Sequence, residues 1–246
     1  MFRHIGLAAA NRAKDRDRAA DACLAPAADN GSAAEVKAAF VLGLRARGIR
    51  DLALLRALER VPRDIFVPHR YIDLAGRNLS LPIGCGQTLS EPWLVARMIE
   101  ALAVLPHHRV LEIGTGSGYA TAILAELAQE VISIERFQSL AIAAELRLQN
   151  LGLANAAVVF GDGLSVPRDA GPFDRILVHG CVAALPQQIL DVLASDGKII
   201  AARPDPSTAA RQILVETTRK SDGSLVEQAR GACRLQMLMP GLARIL

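Results

Sequence analysis

Short runs of apolar, β-branched residues alternate with amphipathic segments along the second half of the chain. From Val110 onwards the runs have the length and composition of buried strands, and the segments between them have helical spacing. This alternation is typical of a parallel sheet with helices on both faces. Residues 197–201 are followed by an apolar run at 212–218, a turn at 221–223 and another run from Leu225. The last two runs predict an antiparallel hairpin.

The predicted fold class is therefore α/β. We expect a doubly wound, Rossmann-like, mostly parallel sheet of seven strands, with an antiparallel C-terminal hairpin and N-terminal helices. Ala, Arg and Asp dominate residues 1–33, where no apolar period is sustained, so we predict a flexible or loosely helical tail there. Residues 34–246 are predicted to form a single domain. Within it, residues 34–92 would supply helices and a substrate-side loop, and residues 93–246 the sheet core.

Three helices are predicted before the sheet. The first covers residues 34–47, and the second opens at Asp51 and stops before Pro62. The apolar face of the second helix is assigned to Leu52, Leu55 and Leu58. Proline and glycine punctuate residues 66–86, which we expect to wrap over an edge of the sheet rather than form a core layer. The third helix starts near Ser90, with an apolar stripe of Leu94, Val95, Met98, Ile99 and Leu102.

A glycine-rich turn directly after the first predicted sheet strand is the strongest chemical signal. Gly114, Gly116 and Gly118 lie between this strand and a helical segment, as in sites for nucleotide-like cofactors. Glycines permit the tight turn and let a ligand approach the main chain. A dinucleotide fingerprint would need its third glycine at position 119, which is Tyr119. The missing helix-packing glycine, together with Glu112 just before the turn, favours S-adenosylmethionine (SAM) over NAD.

Two acids follow the next two predicted strands. Glu135 ends an apolar run and lies 21 residues after Gly114, close to the spacing expected for a carboxylate that binds both ribose hydroxyls. A third apolar run, residues 157–160, leads into Gly161, Asp162 and Gly163, and an acid at this position suits an adenine amino group. Each feature alone is weak. Because open α/β sheets bind ligands at the carboxyl ends of their strands, the three together predict a SAM site.

Composition excludes several other classes of function. A net charge of +3, with 4% aromatic residues and no basic stripe, argues against a nucleic-acid partner. No uninterrupted apolar run approaches the roughly 20 residues of a membrane span, so no membrane partner is expected. The four cysteines form no C-x-x-C pair, which suggests reduced thiols and a cytoplasmic location. The histidines and cysteines lack ligand spacing, so no metal site is predicted.

Six stretches resemble protein-L-isoaspartate O-methyltransferases. They are residues 61–68, 81–92, 111–119, 133–136, 161–163 and 173–178. The resemblance runs from about residue 35 to the C-terminus, and Ile83-Gly-Cys-Gly-Gln-Thr-Leu-Ser90 is its most discriminating part. It implies methyl transfer from SAM to the free α-carboxylate of isoaspartyl residues in damaged proteins or peptides. The ester would then close to a succinimide that reopens partly to normal aspartate.

A carboxylate acceptor simplifies the chemistry that the site must supply. Its pKa of about 3.5 means that it is ionised at neutral pH, so it needs alignment and water exclusion but no general base. No Ser-His-acid constellation is therefore expected. Ser90 is the catalytic candidate, and the predicted substrate-binding residues are Gln87, Thr88 and His179. The predicted cofactor-binding residues are Glu112, Gly114, Thr115, Gly116, Ser117, Gly118, Glu135, Arg136, Asp162 and Gly163.

Several assignments have alternatives. Ser90 could cap the third helix, Asp162 could serve ordinary turn chemistry, and Glu135 could be a solvated acid. His179 is either a neutral filler or a new polar contact.

Residues 179–186, 201–204 and 233–238 depart from the family pattern, and they fall where substrate would be held. A different small acceptor, or a non-catalytic SAM-binding module, therefore stays open. The default expectation for the oligomeric state is a monomer.

Overall fold

The computed structural model describes residues 33–243, which belong to one compact unit. The predicted N-terminal tail lies outside the described residues apart from Ala33. The helices are α1 (Ala33–Ala46), α2 (Leu52–Arg60), α3 (Pro92–Leu102), α4 (Tyr119–Ala125), α5 (Gln138–Asn150) and α6 (Gln187–Asp191). Short 3₁₀ helices cover Arg63–Phe66, His69–Leu74, Gly84–Gly86 and Arg168–Ala170.

Nine strands form two sheets in this part of the chain. The small sheet pairs β1 (Leu81–Pro82) with β2 (Thr88–Leu89). The strands of the large sheet are β3 (Arg109–Ile113), β4 (Glu130–Glu135), β5 (Ala156–Phe160), β6 (Phe173–Cys181), β7 (Leu193–Asp205), β8 (Thr208–Arg219) and β9 (Leu225–Cys233). Their order is β5-β4-β3-β6-β7-β8-β9.

The first five strands of that order are parallel, and β8 and β9 are antiparallel. The predicted fold class is therefore confirmed. After β5 the chain returns to the other side of β3 and places β6 there, so the winding reverses between β3 and β6. In open α/β sheets, the crevice at the carboxyl ends of the strands beside such a reversal is the usual ligand site.

Two apolar clusters lie on opposite faces of the sheet. The larger cluster joins α2, α3 and α4 to one face and includes Val110, Leu177 and Ile200. The smaller cluster includes Leu111, Ile176 and Ile189 of α6 on the other face. Because successive strand residues point to opposite faces, the near-continuous apolar runs of the sequence supply both clusters at once.

The predicted face of α2 needs one correction. Its buried apolar residues are Leu54, Leu55, Ala57 and Leu58, whereas Leu52 is 60% exposed. Leu54 and Leu58, four residues apart, lie on the buried side of the helix, and Leu52, its first residue, lies off that side. Asp51 does start the helix, since its side chain accepts a hydrogen bond from the Leu54 amide.

The stretch from residue 66 to residue 86 contributes more to the core than the sequence suggested. Phe66, Val67, Ala75 and Leu81 are all buried in the larger cluster. Phe66 lies at the end of the first 3₁₀ helix, Val67 and Ala75 directly follow the first two of these helices, and Leu81 lies in β1, although the stretch forms no layer of its own. The stretch therefore fixes the position of the chain that leads to Ser90.

No helix within residues 33–243 is long and apolar enough to span a membrane.

Candidate active site

The glycine turn, residues 114–118, begins where β3 ends and leads directly into α4. The Gly114 amide donates to the Ile134 carbonyl of β4 at 2.9 Å, so the turn stays attached to the sheet. Gly114, Gly116 and Gly118 have φ angles of 93°, 56° and 89°. Three residues in this left-handed region within five positions require glycine, because a Cβ is disfavoured there.

Gly118 faces the protein interior rather than a ligand. A Cβ on Gly118 would lie 3.1 Å from the Ala144 Cβ of α5 and 3.6 Å from the Phe66 ring. Gly118 therefore permits close packing between the start of α4 and α5, whereas position 119, where a dinucleotide fingerprint needs its third glycine, is Tyr119. The predicted cofactor contact of Gly118 is corrected, because Gly118 is buried outside the wall of the cavity described next.

A cavity of about 800 Å³ lies at the carboxyl ends of β3, β4 and β6. Its wall brings together twelve of the fourteen predicted site residues: Gln87, Thr88, Ser90, Gly114, Thr115, Gly116, Ser117, Glu135, Arg136, Asp162, Gly163 and His179. Glu112 and Gly118 are the two that do not reach it. The sequence therefore located the part of the wall that carries the glycine turn and the two acids, and residues 234–239 contribute a further part.

The Glu135 carboxylate holds the glycine turn in place. One oxygen accepts from the Gly116 amide at 2.8 Å and the other from the Phe137 amide at 2.9 Å. Glu135 is only 4% exposed, which rules out the alternative of a solvated acid. Since a carboxylate has about four acceptor positions, each oxygen keeps one for a ligand hydroxyl.

Asp162 makes the turn contact and also lies on the cavity wall. One carboxylate oxygen accepts from the Leu164 amide at 2.9 Å, which is turn chemistry, and the other accepts from the Gly241 amide at 2.8 Å. The side chain also lines the cavity. Gly163 packs against the end of β3, where a Cβ would lie 2.4 Å from Ile113 Cγ2.

Hydroxyl groups and one cation complete the cofactor side of the cavity. The Thr115 hydroxyl lies 2.6 Å from the Ser133 hydroxyl, and both side chains are buried. The buried Ser117 hydroxyl has no hydrogen-bond partner. The Arg136 guanidinium lies over the Phe137 ring at 5.4 Å.

Ser90 is held by its backbone, and its hydroxyl contacts a histidine on the cavity wall. The buried Arg63 guanidinium donates to the Ser90 carbonyl at 3.1 Å, and also to Ala75 and Leu79. Helix α3 starts at Pro92 with Glu91 as its N-cap, so Ser90 is not the cap. Its Oγ instead lies 3.1 Å from His179 Nε2. Gln87 donates to the Cys85 carbonyl at 3.1 Å, and Thr88 is exposed in β2.

Glu112 lies beneath the cavity and not in its wall. It is fully buried, and one carboxylate oxygen accepts from the hydroxyls of Thr121 and Ser133. Its other oxygen lies 3.8 Å from His179 Nδ1. The predicted cofactor contact of Glu112 is therefore corrected. Ser90 and His179 are within hydrogen-bond distance, whereas Glu112 lies beyond that distance from His179, so the three residues form an incomplete Ser-His-acid arrangement.

The C-terminal segment, residues 234–243, supplies residues 234–239 of the cavity wall. The family resemblance placed residues 233–238 near the substrate, but the sequence predicted none of their contacts. The Cys181 amide donates to the Gln236 carbonyl, and the Leu238 amide donates back to the Cys181 carbonyl. Farther along, the Ala243 amide donates to the Arg136 carbonyl. No local sequence motif in the segment predicts these long-range contacts.

Arg147 of α5 makes a further contact with the glycine turn. The structure has it half-buried, donating to the carbonyls of Ser117 and Ile65. Arg147 therefore ties the glycine turn to the stretch before Ser90.

Comparison with known proteins identifies the enzyme family. The family model for protein-L-isoaspartate(D-aspartate) O-methyltransferase matches residues 35–239, which is most of the chain. The chain belongs to this family.

Its relatives include the protein-L-isoaspartate O-methyltransferase 2 of Rhodopseudomonas palustris strain HaA2. That protein is 49% identical over 208 residues, covering 85% of this chain and 94% of the relative. The protein-L-isoaspartate O-methyltransferase of Azorhizobium caulinodans is 43% identical over 211 residues, with 85% and 95% coverage.

Solved structures of protein-L-isoaspartate O-methyltransferases have the same fold. One aligns with a TM-score of 0.75 at 25% identity, over 84% of this chain and 67% of the other. A second, a putative family member from Plasmodium falciparum in complex with S-adenosyl-L-homocysteine, aligns with a TM-score of 0.70 at 24% identity. That alignment covers 82% of this chain and 97% of the other.

Within the described part of this family member, no group of three or more His, Cys, Asp or Glu side chains is arranged to hold a metal ion.

Proposed function

We propose that the chain transfers the methyl group of SAM to the α-carboxylate of L-isoaspartyl residues in damaged proteins or peptides. The proposal rests on the cavity, whose wall contains the glycine turn, Glu135 and Asp162 together with Ser90. It also rests on the membership of the chain in this family. A cofactor held on one side would thus lie next to a hydroxyl that can orient an acceptor.

The residues on the cofactor side fit SAM. The Glu135 carboxylate keeps hydrogen-bond acceptor positions for the ribose hydroxyls, and the Asp162 carboxylate keeps acceptor positions for the adenine amino group. The buried Ser117 hydroxyl has no protein partner and so can bond a polar group of the cofactor. The absence of a side chain at Gly163 lets the backbone beside Asp162 pack directly on β3. Bound SAM supplies an electrophilic methyl group on its sulfonium.

The acceptor side needs only to orient a carboxylate and exclude water. Ser90 is the candidate for orienting it, and Gln87 and Thr88 lie beside Ser90 on the wall. The C-terminal segment contributes residues 234–239 to the cavity wall, which would help to exclude water from the reacting groups. Because the acceptor is ionised at neutral pH, its oxygen can attack the methyl group without giving up a proton.

We also propose a cytoplasmic location and a monomeric state. Cys85, Cys181 and Cys233 are free thiols, which is typical of a reducing compartment. The monomer stays a prediction.

A direct assay tests the function. Purified chain, SAM and an isoaspartyl peptide should yield a methyl ester and S-adenosylhomocysteine, whereas the same peptide with normal aspartate should not react. Ser90→Ala should lower kcat/KM by about 10²-fold, the size of a lost orienting contact at the reacting group. Calorimetry should show unchanged S-adenosylhomocysteine binding by that variant. No ester above background from the wild type would refute the proposed activity.

A hydroxyl acceptor is the second candidate. It is favoured by the alignment of Ser90, His179 and Glu112, which could remove a proton from an un-ionised acceptor. Screening small carboxylates and alcohols for S-adenosylhomocysteine release separates the two candidates.

A further inference from the structure

Glu112 is a carboxylate in the middle of an apolar sheet face. It pairs in register with Ser133 of β4 and Leu177 of β6, and His179 follows Leu177 by two residues. Because strand side chains alternate, Glu112, Ser133 and His179 all point to the same face. A fully buried carboxylate is costly unless hydrogen bonds and a positive group compensate it, so its partners are informative.

The hydrogen bonds of Glu112 satisfy only one of its two carboxylate oxygens. Thr121 and Ser133 donate to Oε2, whereas Oε1 is buried and has no hydrogen-bond partner. His179 Nδ1 lies 3.8 Å from Oε1 and is the basic group within 4.0 Å of Glu112 among the described residues. The carboxylate is therefore best compensated when Nδ1 carries a proton. Nε2 faces the Ser90 hydroxyl, and whether Nε2 also carries a proton is then the remaining question.

The state of Nε2 decides where the Ser90 hydroxyl points. A hydroxyl has one proton to donate. If Nε2 is unprotonated, Ser90 donates that proton to it, and the acceptor carboxylate receives no hydrogen bond from Ser90. If Nε2 is protonated, it donates to Ser90 Oγ, and the Ser90 proton can turn to the acceptor. A carboxylate only accepts hydrogen bonds, so it requires the second arrangement.

We propose that His179 is a positioning residue whose protonation, supported by Glu112, turns the Ser90 hydroxyl toward the acceptor carboxylate. Acceptor binding then takes up one proton. The inference rests on the proposed function, since it assumes an anionic carboxylate as the acceptor. It makes His179, in the stretch where the chain departs from the family pattern, a determinant of acceptor binding.

Other groups around His179 leave this assignment intact. Burial raises the pKa of the Tyr119 phenol, although nearby Arg63 opposes the shift, so Tyr119 stays neutral at working pH. Burial likewise raises the pKa of the Cys233 thiol to about 11, and burial raises the pKa of Cys181 beside His179. The remaining charged side chains on the cavity wall are Glu91, Glu135, Arg136, Asp162 and Arg234, none of which forms an ion pair with His179 within 4.0 Å.

The first test is the pH dependence of KM for an N-acetylated isoaspartyl peptide, whose carboxylates stay ionised above about pH 6. The KM should rise with pH, approaching tenfold per unit once the imidazole has lost its proton, because one proton is taken up per peptide bound. The kcat should change less. A KM that is flat between about pH 6 and 9, or that falls with rising pH as a general base would require, overturns the proposal.

The second test measures the proton directly and does not depend on turnover. Calorimetric titration of the S-adenosylhomocysteine-loaded protein with the peptide, in buffers of different ionisation enthalpy at about pH 8, should reveal uptake of close to one proton. The same titration without proton uptake would contradict the proposal.

Three variants test whether the proton that is taken up on peptide binding goes to His179. His179→Gln can donate to Ser90 at every pH, so its KM should be flat and its binding should take up no proton. Glu112→Gln keeps a side chain for Thr121 and Ser133 but removes the charge, so the KM should rise at lower pH than in wild type. His69→Gln, at an exposed position in a 3₁₀ helix, is the matched control and should keep the wild-type profile.

These outcomes separate the inference from the proposed function. If wild type forms no methyl ester although it binds S-adenosylhomocysteine, the proposed function fails. If it forms the ester with the same pH profile as His179→Gln, only the inference fails. Should His179→Gln not fold, as judged by its thermal unfolding, proton uptake by wild type decides the matter.

Discussion

Gly163 shows at the scale of one residue how a missing side chain shapes the site. An alanine Cβ there would lie 2.4 Å from Ile113 Cγ2 and 3.3 Å from Ile113 Cβ, within a strand that cannot move freely. We expect Gly163→Ala to push the backbone beside Asp162 away from β3. Such overpacking should cost about 1–3 kcal/mol of unfolding free energy. Displacement of the Asp162 carboxylate should weaken S-adenosylhomocysteine binding at least about tenfold, or 1.4 kcal/mol.

Urea unfolding and calorimetry measure the two effects. Gly76→Ala is the control, because a Cβ at Gly76 meets nothing within 4 Å. Normal cofactor affinity in Gly163→Ala would show that Asp162 and its neighbours do not bind the cofactor.

Residue roles were predictable where they depend on local chain geometry. The glycines of the turn and Glu135 were found from the sequence because a strand, its turn and the next strand end follow each other at fixed spacing. Glu112 was misassigned because its partner His179 lies 67 positions away on β6, and only the register of the strands brings them together. Gly118 was misassigned because its packing against Ala144 depends on where α5 lies.

At the scale of elements, the C-terminal segment is the part of the site that depends most on tertiary contacts. It runs beside Cys181 at the end of β6 and reaches Asp162 through the Gly241 amide. Gly180 lets it approach, because a Cβ at Gly180 would lie 2.4 Å from Leu238 Cγ. The order of strands and helices could be predicted from hydrophobic periodicity, but this docking could not, because it pairs irregular chain with a strand end.

Gly180→Ala should displace the C-terminal segment. We expect KM for the isoaspartyl peptide to rise severalfold and the unfolding free energy to fall by about 1–3 kcal/mol, because Leu238 can no longer occupy its place. Adding Leu238→Ala should recover part of both losses, giving a coupling energy of about 0.5–3 kcal/mol in a double-mutant cycle. Strict additivity of the two substitutions would mean that Leu238 does not hold the segment at Gly180.

On the scale of the whole molecule, the two ends of the sheet have different roles. The parallel strands carry the cavity at their carboxyl ends, while β7, β8 and β9 extend the sheet with a polar network on its surface. Glu216 of β8 lies at the centre of that network, 2.9 Å from Lys198 Nζ and 2.7 Å from Arg230 Nε. The sequence predicted the hairpin but not this network. The network depends on the register of the strands, which places Glu216 between the two cations.

Acid should therefore weaken the fold partly through Glu216. Burial raises the pKa of this carboxyl, but hydrogen bonds and charges from Lys198 and Arg230 outweigh burial and hold the pKa below its usual range. A lowered folded-state pKa adds stability that is present above the unfolded value of about 4.3 and is lost as pH falls through the folded value. Glu216→Gln should thus lower the unfolding free energy by about 1–3 kcal/mol at neutral pH, and the deficit should shrink below about pH 4. Glu227→Gln, which removes the exposed partner of Arg203 on the same hairpin, should cost less than about 1 kcal/mol in parallel urea titrations. A Glu216→Gln deficit that persists unchanged into acid would mean that packing, and not charge, holds this end of the sheet.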